Sequence, residues 1–319
     1  MNKPKIEITP PDISPYQQGN TGITFVTTFD SGVEGPHVMI NALTHGNELC
    51  GAHTLKFLFD HEVRPIRGKL TLGFANYRAF QSFNPESPYT SRFVNEDFNR
   101  LWRDEVLGSD RSSWELTRAR EYNPLIREVD HLLDLHSMHL AAPPLLITGL
   151  QEKSVALAVS LGYPAHVVID EGHQAGKRMR DYNEFDDPAS HKTAMLVECG
   201  QHWAKSSVEA SLITTLRFLE VYQMVDPAFV ASHLPDHDAK PQIFIEVSEA
   251  ITINSSDFRF QDNYNGQEII PEKGTLIAID GGKEIRTPYE DCVLIMPTPN
   301  SKFIPGNTAV RLGRIRERR

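Results

Sequence analysis

The sequence predicts an α/β fold: a mixed, mostly parallel sheet flanked by helices, followed by a small all-β barrel or sandwich. Three observations predict it. Short apolar runs alternate with amphipathic segments as far as about residue 226, the pattern of strands covered by helices on both faces. From residue 242 onward the strand-like runs are short and broken by turn signals at Asn265-Gly266, Pro271 with Gly274, Asp280 with Gly282, and Pro305-Gly306. Between the two textures, residues 233–241 have linker composition, which divides the chain into a catalytic unit at 1–235 and a small β-unit at 236–319. His233 and His237 in that linker read as exposed loop residues rather than metal ligands.

The elements follow in order. Residues 24–29 are a Thr/Phe/Val run and 37–43 an unbroken apolar run, both strand-like. An amphipathic stretch at 48–60 reads as a helix, and 70–75 as the next strand. A helix at 115–129 leads to a strand at 131–135, then one at 145–148. A helix at 151–162, strands at 166–170 and 194–198, and a long helix near 205–224 complete the α/β part. No internal repeat, heptad run or low-complexity tract interrupts the pattern.

Composition narrows the function. At 319 residues, 40% hydrophobic and 23% charged, the chain suits one large α/β unit with a smaller appendage. A net charge of −10 argues against nucleic acid as the main partner. The local exception is the run Arg311, Arg314, Arg316, Arg318 and Arg319, which reads as a solvated terminus. Cys50, Cys199 and Cys292 are odd in number and widely spaced, which suggests reduced thiols and a cytoplasmic setting. The first residues lack a secretory apolar region, and no run approaches membrane-spanning length.

Candidate chemistry lies at strand ends. In Thr44-His45-Gly46-Asn47-Glu48, an imidazole and a carboxylate stand three residues apart where a strand gives way to a helix, so they converge as the chain turns. His136 ends the strand carrying Asp134-Leu135-His136 and supplies a third ligand from a neighbouring position. Two nitrogens and one carboxylate on a single zinc ion leave a fourth position for water, as a hydrolytic site needs. Glu198, delivered to a strand end just before Gly200, is placed to be the general base for that water; its bland reading is a salt-bridge partner. His61-Glu62 begins like a second metal motif but has Pro65 where the other His belongs.

Residues 91–102 hold a further cluster. Arg92, Asn99 and Arg100 offer guanidinium and amide donors suited to a carboxylate, while Arg92 could instead meet an oxyanion. Asp97 can accept from the non-metal nitrogen of a ligand His. The same residues also read as a loop of solvated charges. Lys177, Arg178 and Arg180 either read a second carboxylate or face solvent. His131 faces away from His136 by strand alternation, and His202 and Trp203 either line the pocket or pack the following helix. Cys199 reads as a packed thiol.

The order H-x-x-E, D-x-N-R, D-L-H, V-E-C-G resembles the succinylglutamate desuccinylase/aspartoacylase family, within the wider zinc carboxypeptidase fold group. The matching pieces are Thr44 to Glu48, Arg92 through Asp97-Phe98-Asn99-Arg100, Asp134-Leu135-His136 and Val197-Glu198-Cys199-Gly200. The segment after residue 240 is similar to the small β-domain that these deacylases append.

The resemblance implies a zinc-dependent amidohydrolase that removes an acyl group from a small N-acylated amino acid by Glu-assisted attack of a metal-bound water. His45, Glu48 and His136 would hold one zinc ion and Glu198 would be the base. Arg92 would polarise the acyl carbonyl, Asn99 and Arg100 would clamp the substrate carboxylate, and Asp97 would orient His45. Arg178 and Arg180 are the candidates for a second carboxylate. The alternative is a zinc carboxypeptidase acting on peptides; a metal-binding scaffold for acidic metabolites is a third reading. The expected partner is a small molecule, with no nucleic acid and no membrane. The acyl group, the amino acid and the oligomeric state, a homo-oligomer among the options, stay open.

Overall fold

The protein is described by a computed structural model covering residues 5–172, 175–234 and 240–316. His237, Arg318 and Arg319 lie outside the described residues. In chain order the strands of the α/β part are β1 (Val26–Asp30), β2 (His37–Ala42), β3 (Lys69–Phe74), β4 (His131–Met138), β5 (Leu145–Thr148), β6 (His166–Ile169) and β7 (Thr193–Gln201). The helices are α1 (Leu49–Asp60), α2 (Tyr77–Gln81), α3 (Asp104–Leu107), α4 (Trp114–Glu128), α5 (Glu152–Leu161), α6 (Lys205–Val221) and α7 (Pro227–His233). The later strands are β8 (Ile243–Thr252), β9 (Arg259–Phe260), β10 (Glu268–Ile270), β11 (Leu276–Asp280), β12 (Lys283–Arg286), β13 (Cys292–Ile295) and β14 (Thr308–Arg316). The expected α/β fold is therefore present, with the three short helices α2, α3 and α7 added to it. None is long enough to show a clear 3.6-residue period in the sequence.

Eleven strands form one sheet in the order β1-β3-β2-β4-β7-β5-β6-β8-β14-β13-β10. Its centre, β3-β2-β4-β7, is parallel. β5 then runs antiparallel to β7, and β6 and β8 run parallel to β5. Every residue of β2 is buried, because α1 and α6 cover one face and α4 the other. That double burial is why the sequence reads there as a continuous apolar run instead of an alternation.

The helices start and stop for local reasons. Ser113 caps α4 by accepting from the Leu116 amide at 2.9 Å, and Asp226 caps α7 the same way at Ala228, with Pro227 in the first position. α5 ends on Gly162 in the left-handed region.

The all-β texture after residue 242 is also there, since β8, β14, β13 and β10 pair antiparallel and β9, β11 and β12 form a second, three-stranded sheet. These strands are not detached from the α/β part: β8 pairs with β6 from His166↔Ile243 to Ile169↔Glu246 and continues the main sheet. The boundary between residues 235 and 236 falls outside the described residues. Among the described residues no helix is long and apolar enough to cross a membrane.

Candidate metal centre and active site

The carboxyl ends of β2, β4 and β7 converge on one cavity of about 450 Å³. Beyond β2 the chain makes the turn that carries His45 and Glu48, and α1 begins at the next residue. Gly46 permits that turn: a Cβ there would lie 2.3 Å from the backbone of Ala79 and Phe80. His136 sits on β4, and Glu198 is its register partner on β7.

His45 Nδ1 is 2.8 Å from one Glu48 oxygen and His136 Nδ1 is 2.9 Å from the other. All three side chains are buried, and their ligand atoms lie within 4.8 Å of one another. The opposite nitrogens are each held by a second carboxylate: His45 Nε2 by Asp97 at 3.0 Å and His136 Nε2 by Asp134 at 2.8 Å. Protonating Nε2 on each ring directs both Nδ1 lone pairs inward with the Glu48 carboxylate. This donor set fits a metal ion, and carboxylate-backed imidazoles are the usual support for one. Asp134 is itself fixed by Asn41 at 2.8 Å and Thr44 at 2.9 Å.

Electrostatics follow from these contacts. Burial alone would raise Glu48 and Asp97. For Glu48, however, the His45 and His136 imidazoles outweigh burial, and for Asp97 His45 and Arg92 do, so both carboxyls stay well below their usual range. Burial opposes the charged form of His136, but Asp134 and Glu48 raise it well above an ordinary imidazole. Metal must displace that proton, which makes binding weaker in acid. Glu198 behaves oppositely: burial and the neighbouring Glu48 charge push it up to about 8. Its Oε2 has no hydrogen-bond partner among the described residues. Replacing Asp134 or Asp97 with Asn should lower metal affinity by about 10–100-fold, read by competition with a chelator of known affinity. Unchanged affinity in both variants would mean that these carboxylates do not tune the ligands.

The second cluster also faces the cavity. Arg92 lies 3.3 Å from Glu48, 2.9 Å from His45 Nε2 and 3.2 Å from Asp97. Asn99 and Arg100 line the same space. The Arg100 guanidinium donates at 2.7 Å to the Asn99 carbonyl and meets no carboxylate within 4 Å among the described residues. The Asn99 side-chain oxygen accepts from the Met179 amide at 2.9 Å, tying the segment around residue 178 to the site. Gly176 makes that approach possible, since a Cβ there would stand 2.2 Å from the Arg100 carbonyl.

Arg178 and Arg180 depart from the solvent-facing reading of the sequence. Neither faces solvent: Arg178 is clasped by Asp170 at 2.8 Å and by Asp181 at 2.6 Å, and Arg180 pairs with Asp181 at 3.0 Å. Arg178 lines the cavity, whereas Arg180, 1% exposed, does not. Sequence spacing could not show that Asp170 reaches Arg178.

The basic run at the chain's end needs a larger correction. Arg311 is not a solvated residue but sits on β14 with a 16% exposed side chain, lining the cavity 3.9 Å from Asp170. Sequence reading missed it because the Arg-rich segment hid a strand. Lys302 was missed too; it reaches the cavity and lies 2.6 Å from His139 Nε2. The role of Asp134 was missed as well, although its two-residue spacing to His136, which puts both side chains on one face, could have shown it. His131 packs as expected, stacked on Tyr222. His202 bonds Ser137 at 2.8 Å, and the Trp203 indole donates to the Asn47 carbonyl at 3.1 Å. All three cysteines are buried and unpaired.

Comparisons with known proteins agree with this architecture. Residues 34–216 match the family model described as the succinylglutamate desuccinylase/aspartoacylase catalytic domain. Among solved structures, the fold is similar to that of succinylglutamate desuccinylase from Vibrio cholerae, at TM-score 0.67 and 17% identity over 92% of this chain and 86% of that one. A succinylglutamate desuccinylase/aspartoacylase from Rhodobacter sphaeroides gives TM-score 0.67 and 13% identity over 92% and 89%. A product-bound ectoine utilization protein from Ruegeria pomeroyi gives 0.63 and 14% over 91% and 89%. No protein of curated function matches the sequence.

Proposed function

The chain belongs to the succinylglutamate desuccinylase/aspartoacylase family, and from that premise we propose that it is a zinc-dependent hydrolase removing an acyl group from a small N-acyl amino acid. The observation that carries the proposal is the pairing of Glu198 with His136 across β7 and β4, which sets a carboxyl of raised proton affinity beside the His45–Glu48–His136 cluster. Held by those three ligands, zinc supplies the Lewis acidity that makes water nucleophilic near neutral pH.

The chain's own groups do the rest. Glu198 takes a proton from the attacking water at its unpartnered oxygen and returns it to the leaving nitrogen as the amide C–N bond breaks. Arg92 faces the acyl carbonyl and stabilises the negative charge that grows on its oxygen. Asn99 and Arg100 hold the α-carboxylate of the amino acid through amide and guanidinium donors. Asp97 fixes the His45 ring. Arg178 stands in the cavity wall with its charge neutralised, and the placement of Arg180 gives no support to a substrate contact. The cytoplasmic setting remains part of this reading.

Metal analysis of purified protein and amine release from a panel of N-acyl amino acids test the proposal together. Absence of both zinc and amine release would sink it. Residues of the later strands, among them Ile295 and Arg311, line the cavity, which supports a small substrate over a peptide. Activity that rises with peptide length would instead support a carboxypeptidase.

The clamp gives a separate expectation. Arg100→Lys keeps the charge but loses the planar fork, which should cost about 1.5–3 kcal/mol of binding for substrates with a free α-carboxylate. Amidating that carboxylate should hurt the wild type far more than the variant. Equal sensitivity of the two proteins would remove Arg100 from the clamp.

A further inference from the structure

The segment from Arg92 to Asp97 has no regular secondary structure and little packing of its own. Phe93 and Val94 stand 39% and 47% exposed. The backbone amides of such a segment need partners from elsewhere. Glu115, in the first turn of α4, supplies them. One of its oxygens accepts from the Val94 amide at 2.6 Å, and the other from the Asn95 and Glu96 amides at 3.0 and 3.2 Å. The first oxygen also accepts from the Asn76 side-chain amide at 2.9 Å. Four N–H donors and the positive end of α4 thus compensate a carboxylate that is fully buried.

Both ends of the segment enter the metal centre. Arg92 lies against Glu48, His45 and Asp97, and Asp97 in turn holds His45 Nε2. Asn76 extends the same hold to the turn that carries His45, because its backbone amide donates to the Leu43 carbonyl at 2.8 Å. The Gly46 amide donates to the Arg92 carbonyl at 3.0 Å and joins the two loops directly. Asn99 and Arg100 have separate supports. Phe98 is fully buried, the Met179 amide donates to the Asn99 side chain, and Leu101 bridges Lys177.

We propose that Glu115 is a positioning residue for catalysis, fixing the 92–97 segment so that Arg92 meets the acyl oxygen and Asp97 holds the His45 ring. The Arg92 part rests on the deacylase reading, whereas the Asp97 part needs only the metal. The position demands two acceptor oxygens. Gln keeps one acceptor and turns an N–H against N–H donors. Turning the Asn76 amide over gives no relief, because its oxygen already accepts from Trp114 Nε1 at 2.8 Å. Asp keeps both acceptors but draws them back by one methylene.

The test uses Glu115→Gln and Glu115→Asp in the full chain. Metal affinity is read by chelator competition, and kcat and KM on the N-acyl amino acid that the wild type turns over fastest. Glu115→Gln should lower kcat by about 10–100-fold, the cost of a misplaced oxyanion donor, and leave KM nearly unchanged. Metal affinity should fall by about 10-fold through His45. Glu115→Asp should recover part of both losses. Glu115→Gln should also cost far less kcat in an Arg92→Lys background, and far less metal affinity in an Asp97→Asn background, than in the wild type. Losses that multiply in both backgrounds overturn the proposal, as does a folded Glu115→Gln protein with wild-type kcat and metal affinity. Hydrogen exchange of the wild type decides the matter if Glu115→Gln fails to fold. The Val94, Asn95 and Glu96 amides should exchange slowly although residues 93–95 are exposed, and fast exchange of all three overturns the proposal. The expected loss of metal affinity, in a protein whose wild type hydrolyses no substrate, would sink the deacylase reading and leave the Asp97 part standing. Hydrolysis and metal affinity both indifferent to Glu115 would do the reverse.

Discussion

His136→Ala is expected to remove bound metal and activity together and to destabilise the metal-free protein by about 3–5 kcal/mol. The imidazole lies between two buried carboxylates, 2.9 Å from Glu48 and 2.8 Å from Asp134. Without it Asp134 has no cation within 4 Å among the described residues and Glu48 loses the imidazole on its second oxygen, keeping only His45 and Arg92 on the first, and neither carboxylate can reach water, with Asp134 0% and Glu48 2% exposed. Truncating one member of a buried charge group leaves the others uncompensated, which costs more than the pair contributes. His45→Ala should lose metal as well but destabilise less, because Arg92 still contacts Glu48 and Asp97. Metal content after dialysis and urea midpoints of the metal-free proteins read the two effects separately. A His136→Ala protein with one ion per chain would show that the metal is held elsewhere.

Glu198→Gln should keep the metal and lose at least about a hundredfold in turnover, the lower end of what acid–base catalysis contributes. Near-normal turnover would require another base. The same change has an opposite effect on the stability of the metal-free chain. The folded Glu198 carboxyl titrates near 8, raised from the 4.5 of a free Glu. Its favourable contribution is therefore complete below about pH 4.5, where both states are protonated, and is lost as pH rises through 8. Gln cannot titrate, so the variant should gain on the wild type as pH rises across that window. Parallel stability–pH curves for the two proteins would rule out the raised carboxyl.

Much of the catalytic geometry was legible because it is local or alternating. His45 and Glu48 are three residues apart, Asp134 and His136 two, and each pair sits at the end of an apolar run that can only be a buried strand. Helix 152–161 and the strands at 145–148 and 166–169 were equally plain, with each boundary within a residue of its expected place. What the sequence hid is long-range. No spacing rule links Arg311 to Asp170, or Lys302 to His139, across more than a hundred residues. Charge composition misled as well: a run that reads as a basic loop is neutralised by Asp181, beside Arg180 in the chain, and by Asp170, which the fold brings to Arg178. The joining of β8 to β6 was invisible for the same reason, since parallel pairing leaves no turn in the sequence.

That junction sets an order of events during synthesis. The metal ligands and Glu198 are translated before β8, so the reactive centre can assemble while β6 is still a bare edge, a template for pairing with other chains. β14, which carries Arg311, follows every other strand of the cavity in chain order. A nascent chain would thus have its chemistry in place before the wall that selects what reaches it, and concealment of the sticky edge and selectivity would both await the later strands.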